Sequence, residues 1–243
     1  MQLDRITIST RPRHGWSAID LGVKLAVKHY LNCFILFLVV ATPFILATVF
    51  FKDNYWLSYL FIWWLKPFFE RPILFYLSRV LFGEKTNIFS VLAQWKSWIH
   101  PGLFPGLSYR RLTPYRAFFM PLTVLENLSG NTYSKRALVL GNRFGSKSGW
   151  LTIVSYHIEV FFYFGFIVLI ELMAPAQFNI LEFISQEGNF NIIVSAILQI
   201  FIFAMIAPFY VASGFMLYIS RRIQLEGWDI ELRFRDWVAK NAN

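Results

Sequence analysis

Residues Gly188–Ser220 read GNFNIIVSAILQIFIFAMIAPFYVASGFMLYIS, without one formal charge. A helix crosses a bilayer with about 20 mostly apolar residues. The run exceeds that length and predicts a span over 192–218, centred near Met205 and carrying Pro208. A second charge-free run, His29–Phe51, lies between Lys28 and Lys52 and predicts a span over 31–51, with Pro43 at a kink position. A third fits 149–170, where Glu159 is the only formal charge. Between Asp53 and Lys66 the sequence NYWLSYLFIWWL is too short alone. It must continue into KPFFERPILFYLSRVLF, so a span over 54–74 carries Lys66, Glu70 and Arg71 in one half. The expected fold is all-α: a polytopic membrane helical bundle of about four transmembrane helices, with amphipathic helices on the cytoplasmic side. The 243 residues form a single integral membrane domain in this reading.

Composition agrees. Apolar residues make up 56% and charged residues 15%, against about 25% charge in soluble domains. Mean hydropathy is +0.48. These values exclude a soluble enzyme and a disordered chain. The net charge is +9, and topology accounts for it. Cytoplasmic loops are enriched in Lys and Arg. Of 23 such residues, only Lys52 falls on the side of the Lys52-Asp53-Asn54 turn and the acidic 171–190 loop, which carries Glu171, Glu182 and Glu187. Both termini are therefore expected in the cytoplasm. Arg110-Arg111, Lys135-Arg136 and Arg221-Arg222 read as juxtamembrane pairs attracted to anionic inner-leaflet lipid. Membrane lipid is thus an expected partner and nucleic acid is not. The first apolar run is longer than the roughly 7–15 residues of a signal-peptide core and is expected to be retained and spanning. Cys33 is the one cysteine, which excludes an intrachain disulfide and reads as a buried, inert thiol.

The 75–148 insert is mixed and basic. Ile88, Val91, Leu92, Trp95, Trp98 and Ile99 recur at helical spacing, and Pro101-Gly102 ends that helix. Its apolar face suits a helix lying on the bilayer or packed under the bundle. Two short helices follow at Pro121–Leu128 and Tyr133–Leu140, separated by Ser129-Gly130-Asn131. Near the N-terminus Ile6–Ser9 is weakly strand-like, and Ser17 with Asp20 resembles a capping box that starts a helix over 17–28. At the C-terminus, 221–243 forms a cytoplasmic tail. Ile230, Phe234, Trp237 and Val238 share one helical face there, and Arg222 and Glu226 are spaced to pair.

A charge inside a span marks a functional site by default, because burying it is expensive. Glu159 lies about 13 Å along its helix from Trp150, near the middle of a roughly 30 Å core. Lys66 lies about 18 Å from the outer end of the second span, at nearly the same depth. The two are expected to neutralise each other, with Arg71 as the alternative cation. Thr152, Ser155, Glu159 and Tyr163 share one helical face, which serves either helix packing or a substrate or proton path. The expected intramembrane polar cluster is Lys66, Glu70, Arg71, Ser155, Glu159 and Tyr163. His157 sits about 200° round the helix from Glu159 and cannot form a dyad with it.

Lys66-Pro67 and Arg71-Pro72 leave carbonyls without their helical donors. At membrane depth protein or water must satisfy them. The inner half of that span is either an irregular element lining a polar cavity, or the helix ends and the chain lies along the interface. No P-loop, GxGxxG, GxSxG or HExxH occurs. His14, His29, His100 and His157 lack ligand spacing. No catalytic residue, metal or cofactor is expected.

Two stretches carry a resemblance. One is Trp64-Leu65-Lys66-Pro67-Phe68-Phe69-Glu70-Arg71-Pro72, running into Leu77-Ser78-Arg79-Val80-Leu81-Phe82-Gly83-Glu84. The other begins at Pro208-Phe209-Tyr210, passes through Ser213-Gly214 and Tyr218, and continues to Arg221-Arg222 and Leu225-Glu226-Gly227-Trp228-Asp229-Ile230-Glu231. They resemble uncharacterised bacterial inner-membrane proteins related to the YciC-like group and to the membrane domains attached to glycerophosphodiester phosphodiesterases. The resemblance implies a bacterial plasma membrane, a helical fold without assigned catalytic residues, and work in a membrane or envelope complex. The chain has no phosphodiesterase domain, so that activity is not carried over. The leading expectation is a non-enzymatic scaffold or partner subunit whose cytoplasmic helices and C-terminal tail dock another protein. Its tail would contact a protein partner or lipid headgroups through Arg221, Arg222, Glu226, Trp228 and Asp229, or fold back on the bundle. The rivals are a small transporter or channel component built on Glu159 and Lys66, and a membrane-embedded lipid enzyme using Glu70, Arg71 and His157.

Overall fold

The structure is a computed structural model. It describes residues 13–51, 54–99, 102–174, 179, 182–183 and 188–227. The described residues are helical, with no strand among them. The strand-like run at 6–9 and the tail beyond Gly227 lie outside them.

Helix α1 (Gly15–Lys28) begins two residues before the expected capping box, and His14 occupies the N-cap without a side-chain bond. Packing sets this start. Gly15, Ala18, Gly22 and Ala26 are buried at spacings of three and four, a small-residue stripe of the kind that lets membrane helices approach closely. A Cβ added at Gly22 would stand 2.4 Å from the Ser213 Cα. His29 breaks the chain direction, and α2 (Tyr30–Ala47) continues through a 3-10 turn to Phe51 with Pro43 inside it. Asn54 caps α3 (Tyr55–Leu81) by accepting from the Leu57 amide.

Both prolines of α3 lie within an unbroken helix, so it does not end at Pro67 or Pro72. A carbonyl four residues before a proline loses its helical donor. For Pro67 that carbonyl belongs to Trp63, and the Arg111 guanidinium donates to it from the insert.

The expected helix over 88–99 divides at Gln94 into α4 (Ile88–Ala93) and α5 (Trp95–Ile99). A side-chain and backbone exchange between Asn87 and Ser90 opens α4. α6 (Leu103–Leu107) and a 3-10 turn (Tyr109–Leu112) follow. α7 occupies Arg116–Val124 instead of 121–128. Asn127 takes a φ of 53°, and the Leu128 amide folds back onto the Leu122 carbonyl at 2.9 Å.

The helix expected at 133–140 and the span expected at 149–170 are one 44-residue helix, α8 (Gly130–Met173). Three of its glycines, Gly141, Gly145 and Gly149, serve contact. Cβ atoms at Gly141 and Gly149 would stand 3.2 Å from Phe119 and 3.3 Å from Tyr115. Small residues at a four-residue spacing let α8 lie on those two rings.

α9 (Asn189–Glu226) is the centre of the bundle. α1, α2, α3, α7 and α8 all pack on it. A Cβ at Gly214 would meet the Ala117 Cβ at 2.4 Å, so α1 and α7 both seat closely on α9, at the neighbouring residues Ser213 and Gly214. It runs past residue 220 without a break and stops at Gly227, which takes the left-handed conformation common at helix C-termini.

Three helical segments are long and apolar enough to cross a membrane: Tyr30–Phe51, Gly145–Met173 and Asn189–Glu226. Only 17% of the Gly145–Met173 window is buried, against 61% for α9, which separates an outer helix from a central one. Phe161, Phe164, Val168 and Leu172 are exposed along α8. An apolar face of that extent suits lipid, not water.

Candidate functional site

Lys66, Glu70 and Arg71 lie on the half of α3 that is buried by the insert and α9, and none is more than 6% exposed. Lys66 Nζ donates to Glu159 Oε1 of α8 and stands 3.8 Å from Glu70 Oε1. Glu70, fully buried, has a second cation in Arg116 of α7, with Nη1 at 2.8 Å from Oε2 and Nη2 at 3.2 Å from Oε1. The Lys66 ammonium also lies over aromatic faces, 4.9 Å from the Phe203 ring centre and 5.7 Å from that of Tyr210. Such faces attract a cation through their quadrupole. The result is an alternating row, Glu159, Lys66, Glu70, Arg116, in which each charge has an opposite neighbour.

The polar face of α8 lines the same place. Thr152 donates to the Pro114 carbonyl at 2.6 Å, and its hydroxyl lies 3.2 Å from that of Tyr210. Ser155 is buried beside Glu159. Tyr163 hydrogen-bonds to the Tyr55 hydroxyl nearer the other end. Between α3, α7, α8 and α9 lies a half-open cavity of about 100 Å³. Its walls include Trp63, Lys66, Arg116, Thr152, Ser155 and Glu159. At ~10–15 Å³ for each water position, it has room for several waters.

Arg71 is not the alternative cation for Glu159. Five residues from Lys66, it is turned about 140° round the helix and donates to the Trp98 and Ile99 carbonyls at 3.2 and 2.6 Å. Arg111 departs further from its expected role. It is buried, its guanidinium 3.7 Å from the Trp63 ring centre, and it is not a lipid-facing basic residue. The lipid-enzyme set does not converge. His157 is exposed and donates to the Ile153 carbonyl of its own helix at 2.8 Å, while Glu70 and Arg71 hold the partners given above. Among the described residues no group of three or more His, Cys, Asp or Glu is placed to hold a metal.

The Arg221-Arg222 motif is also turned inward. Arg221 is buried and donates to the Leu140 and Val139 carbonyls of α8. Arg222 grips Glu226 at 2.7 and 3.0 Å. Arg136 of α8 pairs with both Glu226 and Glu126, and Tyr218 donates to Glu126. These side chains tie the ends of α7, α8 and α9 together. Trp228 and Asp229 lie outside the described residues.

Arg116, Arg111, Tyr210 and Trp63 are absent from the cluster read in the sequence. Pro67 held a usable signal: the carbonyl it strands at Trp63 needs a donor, and the insert is rich in arginine. Comparison with protein-family models, with curated proteins and with solved structures gives no match, so the geometry carries the functional argument alone.

Proposed function

We propose that the protein is a small solute-handling component of a bacterial inner membrane, a transporter or channel subunit whose working part is the cleft beside Lys66 and Glu159. The observation that carries this reading is the cavity of about 100 Å³ walled by charged and hydroxyl side chains. A scaffold needs no such space, and helices that only pack would fill it with apolar side chains.

The reading includes α3 as a fourth crossing. α3 has 27 residues, about 40 Å of helix, and its exposed large residues Trp56, Leu57, Leu60 and Trp64 are apolar. Four crossings place both termini on one side, and the distribution of Lys and Arg makes that side cytoplasmic. The scaffold role rests on the cytoplasmic-side helices and on the tail of residues 221–243. Its support is reduced by Arg221, Arg222 and Glu226 spending their side chains within the bundle.

Cysteine accessibility tests the cleft. Cys33 is fully buried, so the native chain is a quiet background. Ser155→Cys is expected to react with a small, charged, membrane-impermeant thiol reagent in intact membranes, and Phe161→Cys on the lipid face is expected to stay unlabelled. Equal protection of both positions would remove the solute-handling reading.

A further inference from the structure

The charge row of the cleft is balanced, but its surroundings are not. Lys66 and Arg116 answer Glu159 and Glu70. Arg71, Arg110 and Arg111 crowd the same part of the fold, and among the described residues none of the three has a carboxylate within ion-pair distance. Arg111 is committed to the Trp63 carbonyl and ring. Arg71 and Arg110 face a second, smaller cavity of about 40 Å³, on the other side of Arg116.

Arg110 lies flat on Tyr133, its guanidinium carbon 3.4 Å from the ring centre. That stacking fixes the plane of the group but uses none of its N–H donors. Arg110 Nε and Nη1 are both buried without a hydrogen-bond partner. Buried charged donors left unpaired are costly. Arg71 Nη1 is occupied by the Trp98 and Ile99 carbonyls. Its Nη2 lies 3.5 Å from the point where a Cβ at Gly106 would stand. Gly102, with a φ of +80°, approaches Thr123 so closely that a Cβ would stand 3.0 Å from it. Gly106 thus leaves open a space that a side chain would enter, Gly102 lets the chain close on Thr123 at its wall, and two guanidiniums border it.

We propose that this cavity binds a phosphate group, held between Arg71 and Arg110 with Arg116 at its edge. Paired guanidiniums match the several acceptor oxygens of a tetrahedral oxyanion. At ~10–15 Å³ for each water position, the half-open space of about 40 Å³ takes about three to four oxygen-sized atoms. The phosphate can belong to a phospholipid headgroup or to a soluble ion. Exposed Phe104 and Leu112 on the same segment give a lipid's chains an apolar surface to follow. This site is distinct from the Lys66–Glu159 cleft, and its test reads binding alone, not solute passage.

The test uses the full chain, purified in a maltoside detergent and freed of bound phosphorus. Its thermal unfolding is followed against inorganic phosphate, short-chain phosphatidylglycerol and, as control, acetate. Stabilisation by inorganic phosphate would support a soluble phosphate source. Stabilisation by the short-chain lipid without a response to the free ion would support a headgroup. In either case Arg110→Gln is expected to raise the half-saturating concentration about tenfold or more. Gly106→Val, which removes no charge and fills the space, is expected to do the same and decides the matter if Arg110→Gln does not fold. No response to either phosphate source, an equal response to acetate, or a response unchanged in the folded variants would overturn the proposal.

Discussion

Replacing Arg111 with methionine isolates the link between the insert and the first proline of α3. The substitution keeps most of the stem length and removes the donor to the Trp63 carbonyl. A hydrogen bond from a charged donor contributes ~1.5–3 kcal/mol, and the lost stacking on Trp63, at 3.7 Å, adds ~0.5–2 kcal/mol. The expected cost is therefore about 2–5 kcal/mol. The informative step is to repeat the change in a Pro67→Ala background. Alanine at 67 supplies the amide that the helix lacks there, so Trp63 regains a donor within its own helix. Arg111→Met should then forfeit mainly the stacking, and the two changes should couple by about 1.5–3 kcal/mol, the hydrogen-bond contribution. The assay is a double-mutant cycle on reversible unfolding in mixed micelles, read by tryptophan fluorescence. Additivity within ~0.5 kcal/mol would show that Arg111 does not complete the backbone of α3.

Glu159→Gln leaves Lys66 with Glu70 alone and should destabilise the fold by about 3–5 kcal/mol, as for one partner of a buried pair. Lys66→Glu with Glu159→Lys should recover more folded protein than either single change, measured as the monodisperse fraction after extraction; no recovery would count against direct pairing. Gly22→Ala puts a methyl 2.4 Å from the Ser213 Cα and should cost about 1–3 kcal/mol in the same unfolding assay. A neutral result would mean that α1 and α9 stand further apart.

Charge-free runs made the three helices long and apolar enough to cross a membrane legible, because exclusion of charge over about 20 residues leaves few alternatives. The Lys66–Glu159 meeting was legible from depth alone, since both lie near mid-helix and neither charge can face lipid. What escaped was set by contacts between distant segments. Gly141, Gly145 and Gly149 look like a linker until Phe119 and Tyr115 are placed against them. Arg116 looks like one of many surface cations until α7 carries it to Glu70, 46 residues away. Arg110 and Arg111 are adjacent in sequence, yet one stacks on Tyr133 and the other on Trp63. Pattern reading treated them as a pair because it has no access to the 3-10 turn that sends them apart.

The central position of α9 has a consequence for biogenesis. Its Ser213 meets the Ile19 carbonyl of α1 across 194 residues of sequence, and its Gly214 seats Ala117 of α7. At ~5–20 residues per second of synthesis, α1 leaves the ribosome roughly 10–40 seconds before the helix it packs on. During that interval the small-residue stripe of α1 has no mate on α9, and the inner face of α7 waits through the later half of it. Completion of the bundle is therefore tied to the emergence of α9, and the interval is when a chaperone or a quality-control protease would meet this chain.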